Sequence, residues 1–382
     1  MQGKLQDRES AELAQEGQKM NLGERKFVIS KFSDYYSNAD FKVKNVERRE
    51  FGVGNSKKID SRHLAFRNFS ELKSYLTSNT PLFVSHSAAY YHFPGATPIE
   101  KKQRIGADLI FDLDIHASGK YGVYSKLEEA KRDVFRLMDE FLLNDFGIDK
   151  KNILVVFSGN RGYHIHVNDD EYLLLGGDER REIVNYIRGE GLNYDDFFEW
   201  KLVERHKKLY GPKPDEGGYR GRIARMIVDN PKALAPRILN DDGRRKLFLE
   251  GIKEGDWSRI SLQLSHIPKM VSDIANSLPV RSVNADAAVT HDMSKLIRLP
   301  NSIHGETGFI AKIVDDLDKF NPLNDALLNK NNKLEVIFLE NVPEIQMLDS
   351  TFGPYKKDEK IEIPEPLALL YALKESATLV LR

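Results

Sequence analysis

The sequence predicts a mixed α/β fold, with short sheets flanked by helices and interrupted by a mostly helical inserted subdomain. Two observations carry this. Between residues 108 and 167 the pattern runs strand, helix, strand, strand, an order that builds a mixed layer. Between 176 and 280 the short periods give way to longer, more polar, helix-like ones, broken at "YGPKPDEGGYRG". The expected organisation is a polar tail over 1–20, a compact core over 21–188 and 281–345, a helical insertion over 189–280 and a C-terminal segment over 346–382.

Taken in order, "RREFGVG" and "DSRHLAF" bracket a turn and read as a hairpin. "SELKSYLTSN" reads as a helix capped by Ser70 and stopped before Pro81. "DLIFDLDIH" (108–116) reads as a strand, with Asp108, Ile110, Asp112 and Asp114 on one face and Leu109, Phe111, Leu113 and Ile115 on the other. Leu127, Ala130, Val134, Leu137, Met138 and Phe141 then recur at helical spacing, with Gly147 as the expected cap. "NILVVF", the turn "SGNRG" and "YHIHV" read as strand, turn, strand. "THDMSKLIRLPNSIHGETGF" (290–309) reads as a short capped helix halted by Pro300, followed by a glycine turn.

Composition narrows the chemistry. The 382 residues hold 57 Lys+Arg against 58 Asp+Glu, a net charge of −1, so nucleic-acid binding would have to come from local patches. One such patch is 201–225, basic overall. The absence of cysteine excludes disulfides, thiol catalysis, iron–sulfur clusters and sulfur-ligated zinc. With no membrane-length apolar run and no signal-peptide pattern, a cytoplasmic location is expected.

The acidic strand face cannot be buried unpaired, so it calls for water and counter-ions, an Arg or Lys partner, or a divalent metal. Asp112 and Asp114, one pleat apart, suit two bridged Mg²⁺ ions. In "SGNRGYHIHV" the glycines permit a tight turn that leaves Ser158 and Arg161 facing an anion, joined by His164. His164 and His166 as a metal pair is the rival reading of that hairpin. Arg298 and His304 suggest a second anion-binding wall, and either Asp286 or Asp292 could complete a metal site. Together these blocks ask for divalent metal plus polyphosphate, the equipment of in-line nucleotidyl transfer.

These three ordered blocks resemble the catalytic (small) subunit of archaeal and eukaryotic DNA primases, the archaeal branch in particular. The resemblance implies a primase–polymerase type catalytic core and a nucleotidyltransferase that makes short RNA or DNA primers from nucleoside triphosphates on single-stranded DNA during replication. It implies that Asp112, Asp114 and Asp286 are catalytic and hold two Mg²⁺ or Mn²⁺ ions, Asp286 lying eighteen residues before the histidine of the "HG" turn. It also implies that Ser158, Arg161, His164, Arg298 and His304 bind the triphosphate. Within "RREFGVGNSKKIDSR", Glu50 and Arg62 would line the sugar and base side. The implied partner is a large subunit in a heterodimer. Two departures stand out. Glu306 occupies a position where many relatives carry lysine, and the family's zinc knuckle cannot be built without cysteine, so no zinc is expected. Rival functions are a repair or translesion polymerase of the same superfamily, a non-catalytic nucleic-acid-binding subunit, and a metal-dependent phosphohydrolase.

Overall fold

A computed structural model describes residues 20–55, 58–231, 234, 241–259, 264–277 and 286–381. The expected polar tail therefore lies, but for its last residue, outside the described residues. The chain folds as two compact units, one of residues 1–132, 151–177 and 288–382, the other of 133–150 and 178–287.

The first unit is built from small antiparallel sheets and a few helices. Its opening helix, Leu22–Asn38, starts with a capping box in which Asn21 and Glu24 satisfy each other's backbone N–H groups. Phe32 and Tyr36 of that helix pack with Leu72 and Leu76 of helix Phe69–Asn79 and with Phe51, Val84, Leu299, Ile303 and Leu369 in one core. The second helix is capped by Asn68, whose Oδ1 accepts from the Glu71 N–H at 3.0 Å, two residues ahead of the expected Ser70. The earlier start places Phe69 at the first helical position, with Asn68, as good a cap as Ser, just ahead of it.

Strands β1 (Phe51–Gly54), β2 (Ser61–Leu64) and β3 (Phe83–Ser87) form one sheet, and β4 (Ala89–Tyr91) pairs with β5 (Arg104–Ala107). A third sheet holds β6 (Leu109–Asp114), β7 (Ile153–Phe157) and β8 (Gly162–Val167), with β8 in the middle. Leu109, Phe111 and Leu113 of β6 and Tyr163, Ile165 and Val167 of β8 are all buried, so the apolar face is the one the period of two assigns to the core. The expected helix is present over Leu127–Arg136. It continues as a π-helical stretch over Leu137–Leu143, and Gly147 takes the left-handed φ of 66°.

In the second unit, helices Gly177–Arg188, Gly218–Asp229, Asp242–Glu254 and Ile267–Ser277 dominate the described residues. It also holds a hairpin of β9 (Glu199–Val203) and β10 (His206–Tyr210) that the helical expectation for this segment did not include. Alternation in "EWKLV" and "HKKLY" is hidden there by lysine on both faces.

The 290–309 segment departs most from expectation. The helix comes earlier, at Ala287–His291, and Asp292 follows it rather than starting one, accepting from the Ser294 N–H (3.0 Å) and Oγ (2.6 Å). "LIR" is strand β11 (Leu296–Arg298), which pairs antiparallel with β3. Five strands in two small sheets complete the C-terminal part of the first unit, β12 (Lys333–Phe338) between β15 (Lys360–Pro364) and β16 (Ala377–Leu379), and β13 (Ile345–Met347) against β14 (Ser350–Phe352). The mixed α/β class expected from the sequence is the fold observed. No helix among the described residues is long and apolar enough to cross a membrane.

Candidate active site

The register of the third sheet builds the site. Asp112 lies opposite His164, Asp114 opposite Gly162, and Ile110 opposite His166, so the two carboxylates share a face with the two histidines. The turn from β7 to β8 depends on its glycines. Gly159 holds φ at 83°, and a side chain at Gly162 would meet the Leu113 carbonyl oxygen at 2.0 Å. Ser158 Oγ accepts from the Gly162 N–H at 3.2 Å, and Thr307 Oγ1 donates to the Gly159 carbonyl at 2.6 Å, fastening this turn to the "HG" turn of 304–305.

Pairing of β11 with β3 sets Arg298 opposite Ser85 and completes a cleft of about 240 Å³. Asp112, Asp114, Ser158, Arg161, His164, Arg298 and His304 all line it. Lys58, Ser85, Asn160 and Glu306 line it too, and sequence reasoning had not placed the first three there. Ser85 carries no motif, and only the pairing of β3 with β11 reveals it.

Glu50 and Arg62 are not among the cleft walls. Glu50 is fully buried and holds Arg62 Nε at 2.9 Å, the His63 N–H at 3.1 Å and Lys102 Nζ at 3.1 Å. Those cations outweigh the cost of burial and keep its carboxyl below the usual range. Glu50 thus fixes the position of Arg62 from within the protein. Asp286 is exposed, belongs to the second unit and immediately precedes the Ala287–His291 helix.

Charge in the cleft is arranged for an anion beside a cation. Arg161 Nε donates to Asp114 Oδ2 at 2.7 Å. Arg298 lies with its guanidinium 5.4 Å from the Phe83 ring centre, and its buried Nη1 has no hydrogen-bond partner among the described residues. Burial pulls that guanidinium down to about 10, which leaves it charged at neutral pH. A buried charged donor with spare capacity is costly unless an acceptor arrives, and a phosphate oxygen would satisfy it. Two carboxylates one pleat apart are hard oxygen donors suited to a Mg²⁺- or Mn²⁺-class ion, and Asp114 already draws a cation. Among the described residues no cluster of three or more His, Cys, Asp or Glu side chains is set to hold a metal.

The histidines are neutral. Burial, with Arg298 adding to it, drives His164 down to about 3, so its 3.6 Å approach to Asp112 is not an ion pair. Burial and then His164 lower His166 to about 3, and burial holds His86 and His304 well below the ordinary imidazole value. His86 stacks on His166 with ring centres 5.8 Å apart. Because the folded values are depressed, the unfolded chain binds more protons below pH 6.5. Stability is full above that point and is lost as pH falls from 6.5 toward 3, each of the four histidines adding about 1.4 kcal/mol per pH unit at most. The urea midpoint should therefore fall clearly between pH 7.5 and 5.5, before carboxylates titrate, and less steeply in His166→Gln. An unchanged midpoint would show these imidazoles to be protonated in the folded chain.

Comparison with known proteins agrees with this chemistry. The family profile described as DNA primase small subunit matches residues 111–316. Relatives named DNA primase small subunit come from Methanococcoides burtonii (35% identical, covering 83% of this chain and 90% of the relative), Archaeoglobus fulgidus (30%, 92% and 98%) and Methanocaldococcus jannaschii (30%, 89% and 93%).

Proposed function

The chain belongs to the DNA primase small subunit family, and from that premise we propose how its cleft joins nucleotides. It is a nucleotidyltransferase that makes primers for DNA replication, and its chemistry uses divalent metal. In our reading two Mg²⁺ or Mn²⁺ ions are held by Asp112 and Asp114, with Asp286 assigned as third ligand on its motif position alone. The ions, when bound, would lower the pKa of the attacking 3′-hydroxyl and neutralise the leaving pyrophosphate. The chain's own residues supply the rest. Arg161 and Arg298 bring fixed positive charge to the triphosphate, Ser158 and the glycine turn shape its seat, and His164 and His304, being neutral, contact it without adding charge.

The single observation that carries this reading is the convergence of Asp112 and Asp114 with Arg298, whose buried donor lacks an acceptor, on one cleft. A large-subunit partner, implied by the family name, and a single-stranded DNA template complete the proposal.

The test is synthesis on unprimed single-stranded DNA from labelled nucleoside triphosphates with Mg²⁺ or Mn²⁺, with and without a large subunit. Short products with pyrophosphate release are expected. Extension of added primers only would replace this reading with a repair-type polymerase, and release of inorganic phosphate would replace it with a hydrolase. Within that assay Arg298→Ala should raise the nucleotide KM about 10–100-fold, the worth of a charge-assisted hydrogen bond, and change kcat far less. A fall in kcat at constant KM would remove Arg298 from the ground-state phosphate site.

A further inference from the structure

The second unit carries an exposed surface for which the cleft chemistry has no use. In the β9–β10 hairpin Trp200 lies opposite Leu209, Leu202 opposite Lys207, and Lys201 opposite Lys208. Leu209 is buried, yet Trp200 keeps 38% and Leu202 77% of their surface exposed. No other strand pairs with β9 among the described residues. Cations interleave with these apolar groups. Lys207 Nζ stands 4.7 Å from the Trp200 ring centre and Lys201 Nζ 5.3 Å from that of Tyr210. Lys201 and Lys208 have carboxylate partners, Glu199 and Asp256, each at 3.0 Å. Arg205 and Lys207 are exposed and form no ion pair among the described residues. The turn itself is Glu204–Arg205, both left-handed (φ 49° and 69°), where a two-residue hairpin turn favours Asn-Gly.

We propose that this hairpin is a platform for single-stranded nucleic acid, with a base stacked on Trp200, Leu202 against the neighbouring base or sugar, and Arg205 and Lys207 on flanking phosphates. An exposed aromatic ring set among unpaired cations is the combination that binds single strands without reading sequence. A protein interface would instead deplete charge from the centre of its patch, whereas here Lys207 lies on the ring and directly opposite Leu202. Lys207, on a flexible stem with no carboxylate to hold it, can leave the ring for a phosphate as a base takes its place. The whole chain's net charge of −1 offers no attraction of its own, so local cations must supply it. The proposal rests on the primer-synthesis reading for the identity of the strand, a DNA template, though not for the existence of the surface.

The test is a titration of the full chain with labelled oligo(dT), followed by anisotropy and by intrinsic fluorescence. The chain has two tryptophans, and Trp257 is fully buried, so quenching reports on Trp200. Oligo(dT) should quench the exposed part of the emission. Trp200→Ala should weaken binding about ten-fold and remove the quenching, with partial rescue in Trp200→Phe. Arg205→Ala with Lys207→Ala should reduce the slope of log affinity against log salt by about 1.4, or about 0.7 per lost phosphate contact. Affinity, slope and quenching equal to wild type in these variants would overturn the platform. So would retained oligo(dT) affinity together with lost capture of the large subunit, which would make the surface a protein interface. Asp112→Ala is the companion control, and it should bind oligo(dT) like wild type. If wild type makes no primers but Trp200→Ala still loses oligo(dT), the primer-synthesis reading fails and the platform stands. If synthesis proceeds with an unchanged template KM in Trp200→Ala, the platform alone falls.

Discussion

Asp112→Asn should lower nucleotide joining by at least about 10³-fold while leaving nucleoside triphosphate affinity within a few-fold of wild type. The interactions that a metal-holding carboxylate supports peak as charge moves from the 3′-hydroxyl to pyrophosphate, so their loss appears in kcat more than in ground-state binding. Asparagine keeps the shape and one acceptor oxygen but not the negative charge, and Asp112 sits within β6, whose register is fixed on β8. Folding should survive, because the side chain is still 17% exposed and the apolar face of β6 is untouched. Asp114→Asn should be as inactive, with one added symptom. It leaves Arg161 without its carboxylate, so triphosphate affinity should hold or rise. Single-turnover joining and equilibrium nucleotide binding separate the two quantities, and full activity in either variant would sink the metal assignment.

What could be read from the sequence was local. The β6 strand announced itself by a period of two, and "SGNRG" by glycines whose necessity the structure makes concrete at Gly159 and Gly162. The cleft's other wall was harder to read. Arg298 and His304 stand out by residue type, but their segment reads as helical, because "KLIR" is too short to show a strand's alternation and takes its conformation from pairing with β3. The same long-range pairing recruits Ser85. Glu50 is a different case. The segment pairs it with Arg62, but its carboxylate is also enclosed by His63 and Lys102, and Lys102 lies 52 residues away, beyond what spacing reveals. Lysine on both faces likewise masked the β9–β10 hairpin.

Asp108, the third aspartate of the acidic strand, leads to the second large effect. It is buried and meets Arg49, itself 1% exposed, in an ion pair, while the Tyr90 hydroxyl donates to its other oxygen at 2.7 Å. Arg49 is spent completely. Its Nε donates to the Lys44 carbonyl, its Nη1 to those of Ser87 and Ala88, and its guanidinium lies 4.1 Å from the Tyr90 ring centre. Arg49→Leu should therefore destabilise the first unit by about 3–5 kcal/mol, because it leaves a buried carboxylate whose cation is gone and takes from the Lys44, Ser87 and Ala88 carbonyls the guanidinium that ties them together. Asp108→Leu should cost nearly as much by stranding the guanidinium. The double variant should lose less than the two single losses added together, since the pair's own desolvation is then relieved. Urea denaturation of the four proteins closes the cycle, and single losses under about 1 kcal/mol would show the pair to be water-exposed in solution. Activity distinguishes this residue from its neighbours on the strand. At temperatures where the Arg49→Leu protein remains folded, joining should persist far above the level of Asp112→Asn. One acidic face thus holds two kinds of aspartate, one buried on an arginine to fix where β6 begins and two lining the cleft, the pair we propose as metal ligands.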